Sequence, residues 1–80
     1  MKKVIVLLDS VEKVKNFVGK VTKFTADFDL HSGRYIVDGK SIMGVLSMNL
    51  SKPIELHIHF TNNKECENII RELDEFIVSF

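Results

Sequence analysis

The sequence predicts an α+β fold, an open-faced sandwich in which three helices cover one face of a four-stranded, mostly antiparallel sheet. Apolar residues recur at helical spacing in three segments, and one further segment alternates strictly between apolar and polar residues. With three further short strands, the elements follow one another in the order βαββαβα, and packing the helices on one face of the sheet buries their apolar stripes. Since 80 residues approach the lower size limit for a hydrophobic core, we predict a single domain spanning residues 1–80.

The first strand and the first helix are predicted at the start of the chain. Residues 3–8 are aliphatic and β-branched, which is typical of a strand. Asp9 offers a side-chain oxygen as the helix cap, with Glu12 three residues later in the capping-box position. The helix is then expected over about residues 10–23, with an apolar face formed by Val11, Val14, Phe17, Val18 and Val21.

A hairpin and a short helix follow. Residues 26–31 and 34–38 are predicted as strands joined at Ser32 and Gly33. Residues 41–48 are predicted as a second helix that Ser41 caps, and Pro53 prevents any continuation of that helix.

The last two elements are a strand and a helix. Residues 53–60 alternate, so one face of the sheet should be apolar (Ile54, Leu56, Ile58 and Phe60) and the other polar (Glu55, His57 and His59). The third helix is predicted to reach the chain end, because apolar residues recur at Cys66, Ile69, Ile70, Leu73, Phe76 and Ile77.

Composition excludes several classes of protein. Eleven basic and eleven acidic residues leave no electrostatic reason to expect nucleic acid or an anionic membrane as a partner. The apolar run at the start ends at Asp9, before it reaches the length of an export signal or a membrane span. Cys66 is the single cysteine, so an internal disulfide is impossible and we expect a cytoplasmic protein.

The segment Lys40–Met48, with the sequence KSIMGVLSM, resembles the regulatory-serine segment of the HPr family, the phosphocarriers of the bacterial sugar phosphotransferase system. Without gaps the resemblance also aligns residues 23–27 and the hairpin, and it covers most of the chain. It implies an HPr-like open-faced sandwich and protein partners of the phosphotransferase or carbon-regulation type.

The start of the first helix departs from the family pattern. Ungapped counting puts Ser10 where the family has its phosphorylated histidine, Glu12 where it has arginine and Lys13 where it has proline. A serine phosphate is a stable ester and does not replace a transferable phosphohistidine, and Asp9 and Glu12 repel phosphate from the helix start. The resemblance therefore implies a variant without the phosphorelay, similar in that respect to the family's regulatory paralogue Crh.

The second helix supplies the candidate functional residues. Ser41 is a helix cap, and the resemblance also implies that it is a regulatory phosphorylation site, where helix amides and Lys40 would favour the phosphate. A helix of two turns cannot bury all of its apolar side chains, so we predict a partner-docking surface composed of Ile42, Met43, Leu46 and Met48.

Other readings stay open at this point. The chain is an active phosphocarrier if another histidine takes the role, or a zinc or copper module if His31, His57 and His59 converge across neighbouring strands. A scaffold domain is a further possibility, and either a monomer or a strand-exchanged dimer is compatible with the sequence. No nucleophile with a base and no Gly-rich phosphate loop is present, so we expect neither catalysis of its own nor a cofactor.

Overall fold

The computed structural model describes all 80 residues, and their elements run in the order β1 (Lys2–Val6), α1 (Val11–Val21), β2 (Asp27–Ser32), β3 (Tyr35–Asp38), α2 (Ile42–Leu46), β4 (Ile54–His59), α3 (Asn63–Leu73), a 3-10 turn (Asp74–Phe76) and β5 (Ile77–Ser79). The α+β class and the open-faced arrangement agree with the prediction. No helix has the length and apolar character needed to cross a bilayer.

The sheet has five strands in the order β3-β2-β4-β1-β5, and all of its pairs are antiparallel. The prediction of four strands is wrong by one, because residues 77–79 leave the helical course and pair with the outer edge of β1. The predicted third helix therefore ends at Leu73 and does not reach the chain end. The reason is that an apolar pair such as Ile77 and Val78 suits a strand as well as a helix.

One continuous core lies between the sheet and the helices. Its fully buried side chains alternate along β2 and β4 and recur at helical spacing along α1 and α3. Phe17 of α1 meets Phe76 of the 3-10 turn edge to face, with ring centroids 5.6 Å apart, so α1 contacts the segment that follows α3. The core members on the sheet are Val4, Val6, Phe28, Leu30, Ile54, Leu56 and Ile58.

Two predicted details of the local structure are corrected. The N-cap of α1 is Ser10, whose Oγ accepts a hydrogen bond from the Lys13 amide at 3.1 Å, whereas Asp9 forms an ion pair with the Lys13 ammonium at 2.9 Å. The β2–β3 turn consists of Gly33 and Arg34, one residue later than predicted. Gly33 has φ +61°, a left-handed conformation that glycine adopts without strain.

Candidate functional site

The start of α1 is the first region that the sequence singles out, and its residues satisfy one another. Ser10 has extended backbone angles and caps the helix, while its own carbonyl accepts the amide hydrogen of Val14. The hydrogen bond from Lys13 holds the pKa of the Asp9 carboxyl below its ordinary value. Glu12 adds a further carboxylate in the first turn. The helix start therefore presents a hydroxyl and two acidic groups to solvent, an arrangement that disfavours an incoming anion.

Sequence reasoning missed one feature of this region. The helical spacing places Val11 on the apolar face of α1, but its side chain is 54% exposed. Val11 is the first residue of α1, and the buried face of this helix begins only at Val14. An apolar side chain is thus added to the surface at the start of α1.

Ser41 caps α2 in the same way that Ser10 caps α1. Its Oγ accepts a hydrogen bond from the Gly44 amide at 3.2 Å, and its carbonyl accepts one from the Val45 amide at 2.9 Å. The turn before it is fixed by Asp38, whose Oδ1 accepts the Lys40 amide and whose carbonyl accepts the Ser41 amide. The hydroxyl of Ser41 is exposed at the molecular surface.

Lys40 does not direct its charge to the Ser41 hydroxyl in this structure. Its ammonium donates to the Phe24 carbonyl at 2.8 Å and lies 5.9 Å from the centre of the Phe28 ring. The expectation that Lys40 would assist a phosphate on Ser41 therefore requires that this half-buried contact first be given up.

Close packing holds α2 against β3. A Cβ atom on Gly44 would lie 3.4 Å from Cβ of Val37, so the two backbones approach closely at this point. The hydroxyl of Tyr35 lies 2.6 Å from Oγ of Ser47, just after the helix ends. These contacts fix the orientation of the short helix.

The predicted docking residues divide into two groups. Ile42, Met43 and Leu46 are exposed by 37%, 75% and 36%, whereas Met48 is only 7% exposed and belongs to the core. The inclusion of Met48 in the docking surface is thus corrected. The helix ends at Leu46, and the Met48 amide then bonds to the Val45 carbonyl, which turns the chain inward. We refer to Ile42, Met43 and Leu46 as the α2 surface.

The three histidines lie on strands, and two of them bond to carboxylates. The rings of His31 and His57 stack with their centroids 3.7 Å apart, on the sheet face opposite the helices. His57 bonds through Nε2 to Glu55, which lowers the pKa of that carboxyl, and His59 bonds through Nε2 to Asp29 at 3.0 Å. The rings do not converge on one point, and no group of three or more potential ligands could hold a metal ion. The structure thus does not support the zinc or copper site.

A surface cavity of about 510 Å³ lies away from both serines. It is formed where the start of β1, the outer side of α3 and the chain end meet, and its apolar lining consists of Cys66, Ile70 and Phe80. Neither Ser10 nor Ser41 lines this cavity.

Comparison with known proteins identifies the relatives of this chain. The family model described as the PTS HPr component phosphorylation site matches residues 12–79. In sequence, none of the curated proteins matches the chain. Among solved structures, HPr-C-His from Thermoanaerobacter tengcongensis is similar with a TM-score of 0.74 and 23% identity, covering 94% of this chain and 92% of that chain.

Two further structures show the same likeness. The phosphocarrier protein HPr from Bacillus anthracis str. Ames has a TM-score of 0.65 and 24% identity, and the match covers 89% of this chain and 92% of that chain. The histidine-containing phosphocarrier protein of Mycoplasma has a TM-score of 0.71 and 12% identity, with 98% and 100% covered. At these identities the structures demonstrate a shared fold, whereas the family model matches the sequence itself over most of its length.

Proposed function

This chain belongs to the HPr family of the phosphotransferase system, and from that membership we propose that it is a docking and regulatory module without a histidine phosphorelay. Proteins of the family carry phosphoryl groups between proteins of the phosphotransferase system and are not enzymes. The proposed partners are cytoplasmic proteins of the phosphotransferase or carbon-control network, which would recognise the α2 surface.

The observation that supports this proposal most strongly is the arrangement at the start of α1. Ser10 caps α1, and its hydroxyl accepts a hydrogen bond from the Lys13 amide. By ungapped counting this serine stands where the family has its histidine. Asp9 and Glu12 flank it with negative charge. A serine phosphate is a stable ester, so a phosphoryl group on Ser10 would not be passed on as it would be from an imidazole.

The positions of the three imidazoles also support the proposal. His31, His57 and His59 lie on β2 and β4, with their rings on the face of the sheet that the helices do not cover. In a family whose phosphorylated imidazole lies at a helix start, where amides hold the phosphoryl group, none of the three is at the corresponding place.

The regulatory part of the proposal rests on Ser41. Its hydroxyl is exposed and lies at the start of a helix whose next apolar residues, Ile42 and Met43, are exposed as well. A kinase that docks on the α2 surface would therefore meet the hydroxyl beside its own contact area. A phosphate on Ser41 would add negative charge next to this apolar surface and change which partners bind it.

Phosphorylation tests this part directly. The chain is incubated with HPr kinase and ATP, and we expect a mass increase of one phosphate that Ser41→Ala abolishes. Ser51→Ala is the matched control, because it removes an exposed hydroxyl from the loop after α2 and should leave the modification intact. An unmodified mass of the wild-type chain would show that the regulatory part is wrong.

Phosphoenolpyruvate and the general phosphotransferase enzyme test the missing relay. We expect no acid-labile phosphate on the wild-type chain under conditions that label an active HPr completely. Labelling that is lost when one of the three histidines is replaced by glutamine would establish the alternative, an active phosphocarrier that uses another imidazole.

A further inference from the structure

The outer edge of β3 carries backbone groups that no other strand of the chain satisfies. The Phe28 carbonyl accepts the Gly39 amide, so Phe28, Leu30 and Ser32 direct their backbone groups toward β3. Their partners on β3, Tyr35 and Val37, bond back to β2. Because successive residues of a strand direct their backbone groups to opposite sides, the amide and carbonyl of Ile36 point outward. An unpaired edge of this kind is a template for another strand.

This edge lacks proline and a bulge, two of the features that usually prevent pairing. The strand contains no proline, and its register with β2 is continuous over all four residues, without a bulge. The side chains of Tyr35 and Ile36 are 49% and 56% exposed. The opposite edge of the sheet, β5, has only three residues and an irregular register with β1. The β3 edge is therefore the better of the two edges for pairing.

We infer that a second copy of this chain pairs with the β3 edge, antiparallel and centred on Ile36. In this register the sequence Arg34-Tyr35-Ile36-Val37-Asp38 is complementary to itself. Each Arg34 lies opposite Asp38 of the second copy, each Tyr35 opposite Val37, and Ile36 opposite Ile36.

Charge complementarity favours a second copy of this chain as the partner of the β3 edge. Arg34 and Asp38 are both exposed, and neither forms a salt bridge within the chain. Charged residues on an edge strand normally repel an incoming copy, but here the two ends of the edge carry opposite signs and attract in the antiparallel register. The Asp38 side chain accepts the Lys40 amide through Oδ1, which leaves its other oxygen for a partner.

The pairing would join the five-stranded sheets of two copies into a single ten-stranded sheet, and no strand would be exchanged between the copies. In antiparallel edge pairing the twofold axis is perpendicular to the sheet, so the helices of both copies lie on the same side. Because α2 packs against β3, the two α2 surfaces would lie near the axis. The dimer itself does not depend on the proposed function.

Sedimentation equilibrium over about 0.01–1 mM protein tests the inference, since a contact of one short strand belongs to the class of small, weak interfaces. We expect the apparent mass to rise toward twice that of the monomer. Ile36→Pro should abolish association while keeping the fold, because the amide that it removes points away from β2. Circular dichroism checks the fold of each variant.

Charge exchange identifies the register. Arg34→Glu should weaken association roughly tenfold, since two attractive pairs become repulsive, and the double variant Arg34→Glu/Asp38→Lys should regain it. Lys52→Glu makes the same charge change on an exposed loop and serves as the control. A monomer at all concentrations would overturn the inference, as would a dimer that Ile36→Pro and Arg34→Glu leave unchanged, the result expected of a strand-exchanged dimer.

Discussion

The size of a single residue decides how closely two elements of this molecule approach each other. Gly39 shows this most clearly, because it follows β3 at the point where the chain passes Phe28. Its amide donates to the Phe28 carbonyl at 2.7 Å, and a Cβ atom would lie 2.9 Å from Cβ of Phe28 and 3.1 Å from that carbonyl oxygen. Glycine is therefore required here by space, and not by an unusual backbone angle.

Gly39→Ala should lower the free energy of unfolding by about 1–3 kcal/mol, because the added methyl group forces the backbone of β2 or the turn to shift. Gly19→Ala is the matched control, since nothing lies within 4 Å of its Cβ position on the exposed side of α1. That variant should be more stable by about 0.5–1 kcal/mol, the usual gain for alanine in a helix. Urea denaturation measures both, and equal effects would contradict the steric argument.

Glu65 ties the start of α3 to two neighbouring loops. One carboxylate oxygen accepts the amide and hydroxyl of Thr61, and the other accepts the hydroxyl of Thr25 at 3.0 Å. The hydrogen bond from the Thr61 amide is the main reason why the pKa of Glu65 lies below its ordinary value of 4.5. A carboxyl whose pKa is lower in the folded state than in the unfolded state stabilises the fold at pH values above its unfolded-state pKa. This contribution is lost as the pH falls through the folded-state pKa.

The pH dependence of Glu65→Gln follows from that sign. The stability difference between the wild type and this variant should be largest above about pH 5 and should shrink as the pH falls toward 3. Glu67→Gln removes the same charge from an exposed residue of the same helix and is the control. Urea titrations at a series of pH values provide the measurement. A difference that stays constant with pH would mean that the hydrogen bonds of Glu65 do not favour its ionised form.

The segment that contains the short helix α2 has two methionines in different environments. Met43 and Met48 belong to the same nine-residue segment, yet the first is 75% exposed and the second lies in the core. The position of the helix end at Leu46 decides the difference, because the following turn reverses the chain toward the sheet. Folding therefore depends on Met48 and the proposed recognition on Met43, although both belong to one short segment.

Replacing each methionine by alanine separates these tasks. Met48→Ala should cost about 2–5 kcal/mol of unfolding free energy because it leaves a cavity, whereas Met43→Ala should change stability by less than about 0.5 kcal/mol. Met43→Ala should instead reduce kcat/KM for phosphorylation of Ser41 by HPr kinase about tenfold, as expected of an exposed contact residue. If Met43→Ala changed stability and left the kinase reaction intact, the proposed role of the α2 surface would be wrong.

The elements that could be predicted from the sequence are those with unambiguous periodicity. The alternation of Ile54, Leu56 and Ile58 determines both the strand and the side of the sheet on which His57 lies. The fifth strand could not be predicted, because the apolar pair at Ile77 continues the helical stripe of α3 as well as it forms a strand. What separates the two is pairing with β1, which is a contact distant in sequence.

The candidate site was predictable only in part, for a similar reason. Asp9 and Ser10 are both good helix caps, and the sequence does not distinguish them. Lys13 decides the outcome in the structure, because it gives Asp9 an ion-pair partner and leaves its amide to Ser10. The exposure of Val11 depends in turn on where the helix begins. The cap of α2 was easier to predict, because Ser41 is the one capping side chain next to the apolar residues of that helix.

Across the molecule, the sheet divides the titratable imidazoles from the helix starts. Both capping serines lie in the helical layer or its connections, whereas His31, His57 and His59 lie on the other side of the sheet and His57 and His59 pair with carboxylates. No local change of a loop would bring an imidazole to α1. If the relay is absent, as proposed, it would have to be introduced at the start of α1 itself.

The variant Ser10→His/Glu12→Arg tests whether the start of α1 alone accounts for the proposed absence of a relay. Ser10→His provides an imidazole beside the helix amides, and Glu12→Arg replaces a repelling carboxylate by a cation, as in the family pattern. With phosphoenolpyruvate and the general phosphotransferase enzyme, we expect acid-labile phosphate on the double variant and roughly tenfold less on Ser10→His alone. Glu12→Arg alone is the control and should stay unlabelled. If the correctly folded double variant took up no phosphate, the residues at the start of α1 would not account for the proposed absence of the relay. The surface that the phosphotransferase enzyme recognises would then have to differ as well.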